Sequence, residues 1–390
     1  MNQYVFILGN HPDLSQAEIK SYFHSMGISA TFSSVSSEIL LVNTTNTLDF
    51  KKIINTLGGT IKIAQVAGNF KSINSFENLL SFLKFENISN LDFGLSFYNY
   101  PITTQTIFHY CKNIKNYLRK NNIKANYTVP QKGTALSSAQ VDKKIFPEGQ
   151  ELIIFNYNKE VYCAQTLVIQ DIKLFSTLDY GIPFIDPKVG MLPPKLAQIM
   201  INIGLPEKKS DIKIYDPFCG QGRIVLQSLM QGFEAYGSDK SSKAAIATSK
   251  NIVWLKNKFH LNIADDYAEN HIFCQDASQE NTFLKAESVD VIVCEPDLGP
   301  AYRNMISDTE IEKIFSNLGK LYIDSFARFK KILAKDGKIV CIFPMINNKS
   351  LLDKIVDNIL NLGYYMEDDF KYGRSYQVVK RHIGVFKIKF

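Results

Sequence analysis

Three acidic residues in the second half of the sequence each follow an apolar run. Asp216 ends KIYD, Asp239 ends EAYGSD and Asp276 ends IFCQD. Each run has the composition of a short buried strand, and the carboxyl ends of parallel strands line the ligand crevice of an open α/β sheet. The sequence therefore predicts that three carboxylates surround one small-molecule site.

A glycine turn follows the first of these strands. The stretch DPFCGQG places Gly220 and Gly222 between Asp216 and a segment with helical spacing, RIVLQSLM. Glycines at such a turn let a ligand approach the backbone closely. Asp239 lies about 20 residues further on, where a carboxylate can accept both hydroxyls of a ribose. The third glycine of GxGxxG is absent, so the turn by itself fits a dinucleotide or S-adenosylmethionine.

The fourth apolar run separates these two readings. VDVIVC is continuous, as in a strand buried on both faces, and is followed by Glu295, Pro296, Asp297 and Leu298. An acidic side chain and the next backbone carbonyl can accept both N–H groups of an exocyclic amine, which turns the nitrogen lone pair towards a methyl donor. A strand that simply stops at a Pro-Gly-Pro turn would look similar. With three acids upstream, the pattern favours amino methyl transfer.

Periodicity and turn residues divide the chain into four segments. Residues 1–88 are predicted to form a ferredoxin-like α+β domain and residues 89–175 a second α+β module. In that module a helix is expected to bury Ile107, Tyr110, Ile114 and Leu118, and Asn158 to lie at a hairpin turn. Residues 176–190, which are rich in Gly, Pro and Asp, are predicted to be a linker. Residues 191–390 are predicted to be a doubly wound α/β domain that ends in a β-hairpin.

Composition limits the class of protein. The chain has 390 residues, of which 45% are hydrophobic, as expected for a globular protein with more than one domain. We find no apolar run of about 20 residues and no secretory signal, so no membrane association is expected. The six cysteines form no CxxC pair, which argues against a structural metal or a disulfide framework and for a reducing, cytoplasmic location.

Basic residues cluster in two places although the net charge is only +6. Eight basic residues and one acid lie between Lys112 and Lys144, and residues 371–390 contain six basic residues and no acid. Such clusters are either solvated faces or the footprint of a phosphate backbone.

Several motifs together resemble the tRNA guanosine-10 N2-methyltransferases, a family of class I S-adenosylmethionine-dependent enzymes with an N-terminal THUMP RNA-binding region. They occur in the expected order along nearly the whole chain: YVFILGNHPDLSQAEI, QKGTALSSAQV, TLVIQDI, DYGIPFIDPKVGMLPPKLAQIM, DPFCGQG and EPDLGP. The resemblance implies a Rossmann-like methyltransferase domain with a mostly parallel seven-stranded sheet behind a THUMP-like region at residues 89–175. It also implies S-adenosylmethionine as cofactor and tRNA as substrate. Some members act alone and others with a small activating subunit, and the sequence does not choose between them.

The resemblance also implies roles for individual residues. Asp216, Pro217, Phe218, Gly220 and Gly222 correspond to the methionine end of the cofactor. The remaining cofactor contacts fall on the ribose (Asp239, Lys240), on the adenine amino group (Asp276, Ala277) and on a covering segment (Leu192, Pro193, Lys195). Glu295 and the Pro296 carbonyl correspond to the acceptors of the target amine, with Asp297 and Leu298 completing the catalytic motif. The two basic clusters, and for Arg303 its closeness to the catalytic motif, rather than the resemblance, predict RNA contacts at ten basic residues, with a solvated surface as the alternative: Lys112, Lys115, Arg119, Lys120, Lys124, Lys132, Arg303, Arg374, Lys380 and Arg381.

The catalytic motif departs from the family pattern. The family has Asp or Asn, two prolines and an aromatic residue, whereas this chain has Glu-Pro-Asp-Leu. Glu295 is one methylene longer, and Leu298 cannot stack on a flipped base as an aromatic ring would; Tyr302 is a nearby candidate for that role. Two alternatives therefore stay open: methylation of adenine N6 or cytosine N4, and an RNA-binding protein whose catalytic pocket has decayed. The retained cofactor residues argue against the second.

Overall fold

The structure is a computed structural model that describes residues 2–185, 191–207, 209–300, 302 and 304–389. The chain forms two compact units. One contains the residues up to Gln16 together with Ile28–Leu174, and the other contains Ala17–Gly27 and the residues from Phe175 onward. Within the described residues, every helix is too short or too polar to span a bilayer.

The elements up to residue 169 are eight strands and five helices within the described part of the chain. The strands are β1 Asn2–Leu8, β2 Ala30–Ser36, β3 Ile39–Thr44, β4 Thr60–Phe70, β5 Asn90–Tyr98, β6 Lys124–Thr128, β7 Gln150–Tyr157 and β8 Glu160–Ile169. The helices are α1 Pro12–Ser25, α2 Phe50–Thr56, α3 Phe76–Leu80, α4 Thr104–Lys120 and α5 Ser138–Lys144. The strands form one sheet in the order β2-β3-β1-β4-β8-β7-β5-β6.

The first four strands of this sheet have the predicted ferredoxin-like arrangement. Their chain order is βαββαβ, and β1 pairs antiparallel with both β3 and β4. The sheet continues beyond β4, which pairs antiparallel with β8. The division proposed at residue 88 therefore falls inside one continuous sheet, because β8 covers the backbone groups that β4 would otherwise leave at an open edge.

Local predictions in the second segment agree with the structure in most respects. The hairpin β7–β8 turns at Asn158 and Lys159, which both have positive φ (51° and 64°), as a two-residue hairpin turn requires. Helix α4 begins after Thr103, whose side chain accepts a hydrogen bond from the Thr106 amide. Three of the four predicted positions of α4 are buried. The prediction for Tyr110 was wrong, because Tyr110 is only partly buried and its neighbour Cys111 is buried instead.

A buried ion pair lies inside the first sheet. Lys62 and Glu151 have fully buried side chains, and Lys62 Nζ lies 2.5 Å from Glu151 Oε1. Lys62 also donates to the Leu136 carbonyl, and the carboxylate accepts from the hydroxyls of Ser96 and Thr166. These contacts compensate the cost of desolvating both charges and fix the loop that contains Leu136 to the sheet.

Removal of one partner from this pair should destabilise the protein strongly. Lys62→Met leaves the Glu151 charge buried and is expected to cost roughly 3–5 kcal/mol of unfolding free energy. Adding Glu151→Gln, which removes that charge and keeps an acceptor for the hydroxyls, should recover part of the loss. Urea unfolding of the full chain, followed by circular dichroism, measures both effects. Exposed Lys52→Met is the control, and an equally small effect of Lys62→Met would contradict the argument.

The remaining elements, which begin at residue 172, are the strands of the second sheet and seven helices of the described residues. The helices are α6 Ile172–Tyr180, α7 Pro194–Gly204, α8 Arg223–Met230, α9 Ser242–Phe259, α10 Tyr267–His271, α11 Asp308–Ile332 and α12 Leu351–Asn361. The strands are β9 Lys213–Asp216, β10 Glu234–Asp239, β11 Ile272–Cys274, β12 Val289–Cys294, β13 Leu333–Ile346, β14 Lys349–Ser350, β15 Tyr364–Tyr372 and β16 Val379–Ile388.

The second sheet confirms the predicted fold class. Its order is β11-β10-β9-β12-β13-β16-β15, with the two-residue β14 attached to β13. Neighbouring strands from β11 to β13 are parallel, and β16 is antiparallel to both β13 and β15. The result is a mostly parallel seven-stranded sheet that ends in the predicted antiparallel hairpin.

The core of this unit explains the composition of its strands. Every residue of β12 is buried, because the strand lies between β9 and β13 with both faces covered. The predicted linker differs in part: α6 extends to Tyr180, and residues 186–190 lie outside the described part of the chain.

Candidate functional site

The strand order creates a crevice at the carboxyl ends of β9 and β12. The chain runs outward from β9 to β10 and β11 on one side, and returns to the other side of β9 with β12. Ligands of open α/β sheets bind where the strand order reverses in this way. Asp216 ends β9 and Glu295 directly follows β12, so both carboxylates lie at this point.

Asp216 is the most deeply buried acid of the crevice. It is 2% exposed, and its Oδ1 accepts a hydrogen bond from the Phe218 amide at 3.0 Å. Burial raises the pKa of its carboxyl well above the usual value, and the negative charges of Asp239 and Glu295 raise it further. Asp216 therefore ionises more readily when a cation lies in the crevice.

The glycine turn is held by Asp239 at the end of β10. The Asp239 carboxylate accepts from the Gly220 amide at 3.0 Å and from the Ser241 amide at 2.8 Å. Gly220 and Gly222 have φ of 53° and 88°, a region that side chains with a Cβ rarely adopt. Asp239 therefore links the glycine turn to the start of α9.

Helix α9 supports the same turn from its other side. Thr248 Oγ1 donates to the Gly220 carbonyl and Asn251 Nδ2 donates to the Gln221 carbonyl, both at 2.9 Å. A Cβ added to Gly222 would lie 2.8 Å from Thr248 Cγ2, whereas one added to Gly220 would meet nothing closer than 3.9 Å. The turn is thus packed tightly at Gly222 and open at Gly220.

Asp276 lies two residues beyond β11. Its Oδ1 accepts from the Ser278 hydroxyl at 2.7 Å and from the Ser278 amide at 2.9 Å. These hydrogen bonds lower the pKa of the Asp276 carboxyl and fix its orientation. Ala277 next to it is buried, and Lys240 at the end of the neighbouring strand is exposed.

The predicted covering segment lies close to the glycine turn. Arg223, which directly follows Gly222, has a nitrogen 3.5 Å from Met191 Sδ and also donates to the Leu178 carbonyl. Leu192 is 4% exposed, and the partly buried Lys195 has its Nζ 4.9 Å from the Phe175 ring centre. Burial lowers the pKa of Lys195.

Glu295 forms an ion pair with a residue of the C-terminal hairpin. Arg381 Nε donates to Glu295 Oε1 at 2.6 Å, and the two side chains are 15% and 14% exposed. Burial raises the pKa of the Glu295 carboxyl, and the guanidinium of Arg381 opposes that rise. Sequence reasoning placed Arg381 among the RNA contacts, and the structure places it on the predicted catalytic carboxylate.

Two hydrogen bonds hold the backbone of the loop after Glu295. The hydroxyl of buried Tyr322 donates to the Asp297 carbonyl at 3.0 Å, and the exposed Asp297 carboxylate accepts from the Gly299 amide at 2.8 Å. Pro296 is buried and Leu298 is half-buried. The backbone of the motif is therefore held in one conformation without the aromatic residue that the family pattern has.

Four other predicted residues lie around or beyond this loop. The Tyr302 hydroxyl donates to Glu310 at 3.0 Å, and Arg303 lies outside the described residues. Arg374 is exposed and contacts the hydroxyl of Tyr376 at 2.5 Å. Lys380 is half-buried on β16.

The basic cluster of the first unit includes a lysine that contacts an aromatic pair. Lys112, Lys115, Arg119 and Lys120 lie on α4, with Lys124 on the edge strand β6 and Lys132 in the following loop. Lys115 Nζ lies 5.6 Å from the centre of the Tyr127 ring, and Tyr127 packs edge-on against Phe108, which is 42% exposed. We call these residues, with Phe108 and Tyr127, the α4 surface.

Sequence reasoning missed the residues that hold the site together. Thr248, Asn251, Tyr322 and Arg223 all act through contacts with segments at least 25 residues away. Only Arg223 gave a local signal, since it is a charged residue directly after the glycine turn.

Sequence comparison finds relatives that match part of the chain. It is 32% identical over 173 residues to the tRNA (guanine(10)-N2)-dimethyltransferase of Methanocaldococcus jannaschii, covering 43% of this chain and 45% of that protein. The protein of the same name from Methanothermobacter thermautotrophicus is 28% identical over 173 residues, covering 44% of each chain. The chain thus matches less than half the length of these relatives. No protein-family model matches it.

Comparison with solved structures extends over the whole chain. TrmN from Thermus thermophilus has a TM-score of 0.58 at 12% identity and covers 99% of both chains. SMU.472, solved in complex with SAH, has a TM-score of 0.51 at 12% identity and covers 100% of this chain and 99% of that one. At this identity the likeness concerns the fold, which agrees with the fold class predicted from the sequence. The sequence relatives bear out the resemblance to tRNA guanine-N2 methyltransferases.

Proposed function

We propose that this protein is a cytoplasmic enzyme that transfers a methyl group from S-adenosylmethionine to the exocyclic N2 amine of a guanosine in tRNA, at position 10. The observation that supports this most is the position of Glu295-Pro296. Glu295 and Pro296 follow β12, which pairs with β9, the strand that leads into the glycine turn. The chain is also similar to tRNA (guanine(10)-N2)-dimethyltransferases.

The crevice fits the proposed cofactor in shape and in charge. The open side of Gly220 lets a ligand approach the backbone, and the repulsion among Asp216, Asp239 and Glu295 would be relieved by a ligand with ammonium and sulfonium charges. Asp239 Oδ2 and Asp276 Oδ1 already accept protein hydrogen bonds. Asp239 Oδ2 keeps a second lone pair for the ribose. Both hydrogen bonds to Asp276 end on Oδ1, which leaves its Oδ2 for the adenine amine.

The residues of the β12 end account for the chemistry. When bound, S-adenosylmethionine supplies an electrophilic methyl group on sulfur. The Glu295 carboxylate and the Pro296 carbonyl accept the two N–H groups of the target amine, so that its lone pair points towards that methyl group. The new N–C bond replaces the S–C bond, the amine loses one proton to Glu295 or to water, and the second product is S-adenosylhomocysteine.

A methyl group at Gly222 should weaken cofactor binding. Gly222→Ala brings a Cβ within 2.8 Å of Thr248 Cγ2 and must displace the side chain that holds the Gly220 carbonyl. We expect the affinity for S-adenosylmethionine to fall by about tenfold or more, since misplacement by about 1 Å can cost about 100-fold. Isothermal titration calorimetry measures this affinity.

Gly232→Ala is the matched control for that variant. Gly232 has a similar φ of 83°, but a Cβ there meets nothing within 4 Å. It carries the same backbone strain, about 1–2 kcal/mol, without the collision. Equal loss of affinity in both variants would show that the turn at Gly222 has no special part in binding.

The α4 surface is proposed as the RNA-binding site. Its basic side chains are exposed or half-buried and can contact phosphates, while Phe108 and Tyr127 offer rings on which an unpaired base can stack. The exposed Arg374 and the half-buried Lys380 of the hairpin region and Arg303 are proposed to contact RNA near the reacting base.

Neutralising the α4 surface should weaken tRNA binding in a salt-dependent way. Changing Lys115, Arg119, Lys120 and Lys124 together to Gln is expected to lower the affinity by roughly tenfold or more and to reduce the salt slope by about one per lost phosphate contact. Filter binding at several salt concentrations measures both. The control neutralises four exposed lysines elsewhere in the unit: Lys51, Lys52, Lys159 and Lys173. Equal effects of the two sets would contradict the assignment.

Product analysis tests the proposed function itself. The purified chain, incubated with unmodified tRNA and S-adenosylmethionine, should yield N2-methylguanosine or N2,N2-dimethylguanosine in nuclease digests analysed by mass spectrometry. Glu295→Ala should bind the cofactor and lose about 100-fold or more in rate. Turnover by the chain alone would show that it needs no activating subunit.

Other products would support the alternatives. N6-methyladenosine or N4-methylcytidine without methylated guanosine would replace the proposed base. Failure to bind S-adenosylmethionine at millimolar concentration, with tRNA binding intact, would support an RNA-binding protein with a decayed pocket.

A further inference from the structure

We infer that Arg381 is a positioning residue that sets the base specificity of the site. Arg381 keeps Glu295 ionised, and an ionised carboxylate only accepts hydrogen bonds. Such a group favours a base edge that has two adjacent N–H donors. It disfavours an edge on which the amine lies beside a ring nitrogen that is itself an acceptor. This inference rests on the proposed function and concerns how the same site distinguishes guanine from adenine and cytosine.

The geometry supports this role because Arg381 occupies only one oxygen of Glu295. Its Nε donates to Oε1 at 2.6 Å, and among the described residues no donor is hydrogen-bonded to Oε2. Arg381 lies on β16 opposite Pro344 of β13 and Tyr372 of β15. Pairing on both sides fixes the position of the Arg381 backbone. A charge-assisted bond between two largely buried groups is short and directional.

Burial is the main effect that disfavours the charge of Glu295. The negative charge of Glu295 in turn helps to raise the pKa of Asp216 at the end of β9, Cys294 on β12, Tyr322 on α11 and Tyr372 on β15, which favours the uncharged forms of these neighbours. Asp216 would repel a second negative charge, and burial adds to the cost of ionisation. Arg381 is the cation that opposes the effect of burial, so the ionised state of Glu295 depends on it.

An ionised carboxylate matches one kind of base edge. The Watson–Crick edge of guanine presents N1–H beside the N2 amine. Oε2 can accept from N1–H and from the adjacent N–H of the amine with its two lone pairs, while the Pro296 carbonyl accepts the other N–H. Adenine presents its amine beside the N1 lone pair, and cytosine presents its amine beside the N3 lone pair. An acceptor-only group would face a lone pair in either of these bases, and an unmatched acceptor at a buried site is penalised. A protonated carboxyl could instead donate to that lone pair.

The pairing also gives a reason for the longer side chain. Glu295 replaces the Asp or Asn of the family pattern, and its added methylene lets Oε1 reach the hairpin while Oε2 stays available to the base. The aromatic residue that could stack on the base is absent, so edge recognition takes a larger share of the selection.

A substrate with a single altered edge tests this inference. tRNA is prepared with 2-aminopurine at the guanosine that the wild-type protein methylates; this base keeps the C2 amine but has an unprotonated N1. The wild-type protein should prefer guanine in kcat/KM by about 100-fold. Arg381→Met should reduce that preference about tenfold or more, because the uncompensated Glu295 carboxyl takes up a proton and can donate to N1.

The pH profile supplies a readout that a merely structural residue would not change. Loss of the guanidinium raises the pKa of Glu295, so the ionised form needed for guanine appears only at higher pH. The acid limb of kcat/KM should therefore move upward by about one pH unit or more in Arg381→Met. Lys387→Gln is the matched control, since it removes a positive charge from the same strand, where Lys387 pairs with Glu367 at 2.6 Å; both readouts should match the wild type.

A second variant covers the case in which Arg381→Met does not fold. Glu295→Gln places an N–H donor and an acceptor at the same point and should also reduce the guanine preference, at a lower absolute rate. If Arg381→Met folds and keeps both the preference and the pH profile, or loses rate equally on both substrates, the inference is wrong. An unchanged preference in Glu295→Gln would overturn it equally. A wild-type protein that yields no methylated guanosine would contradict the proposed function instead.

Discussion

Burial of negative charge where β9 and β12 end is the constraint on which the second unit depends. Asp216 is 2% exposed and the Glu295 side chain is 14% exposed, and the negative charge of Glu295 helps to raise the pKa of Asp216. Such charges persist in a folded protein only when hydrogen bonds or opposite charges compensate them. The Phe218 amide and the Arg381 guanidinium supply part of that compensation, and a cationic cofactor would supply more.

Each neighbouring element contributes to this balance. Asp239 and the side chains of α9 fix the glycine turn through its backbone, which keeps the ligand side of the turn open at Gly220. Tyr322 of α11 fixes the loop after β12, and β16 brings Arg381 to the carboxylate. The C-terminal hairpin therefore contributes a side chain to the candidate site as well as extending the sheet.

Sequence patterns predicted the features that depend on residues close together along the chain. The strands that end at Asp216 and Asp239, the ferredoxin-like order of the first four strands and the turn at Asn158 all follow from local spacing and turn chemistry. Contacts between distant segments were not predictable in this way. Arg381 and Glu295 are 86 residues apart, and Lys62 and Glu151 are 89 apart. The pairing of β4 with β8 also joins the two segments that the sequence prediction divided at residue 88.

We propose that the β12 end presents a guanine amine to a methyl donor held by the glycine turn. A crystal structure of the protein with S-adenosylhomocysteine and a tRNA substrate tests it most directly. We expect the cofactor to lie along Gly220, the guanine N2 to lie within about 3 Å of Glu295, and Arg381 to remain bound to the same carboxylate. A target base held away from Glu295, or a cofactor bound elsewhere, would contradict it.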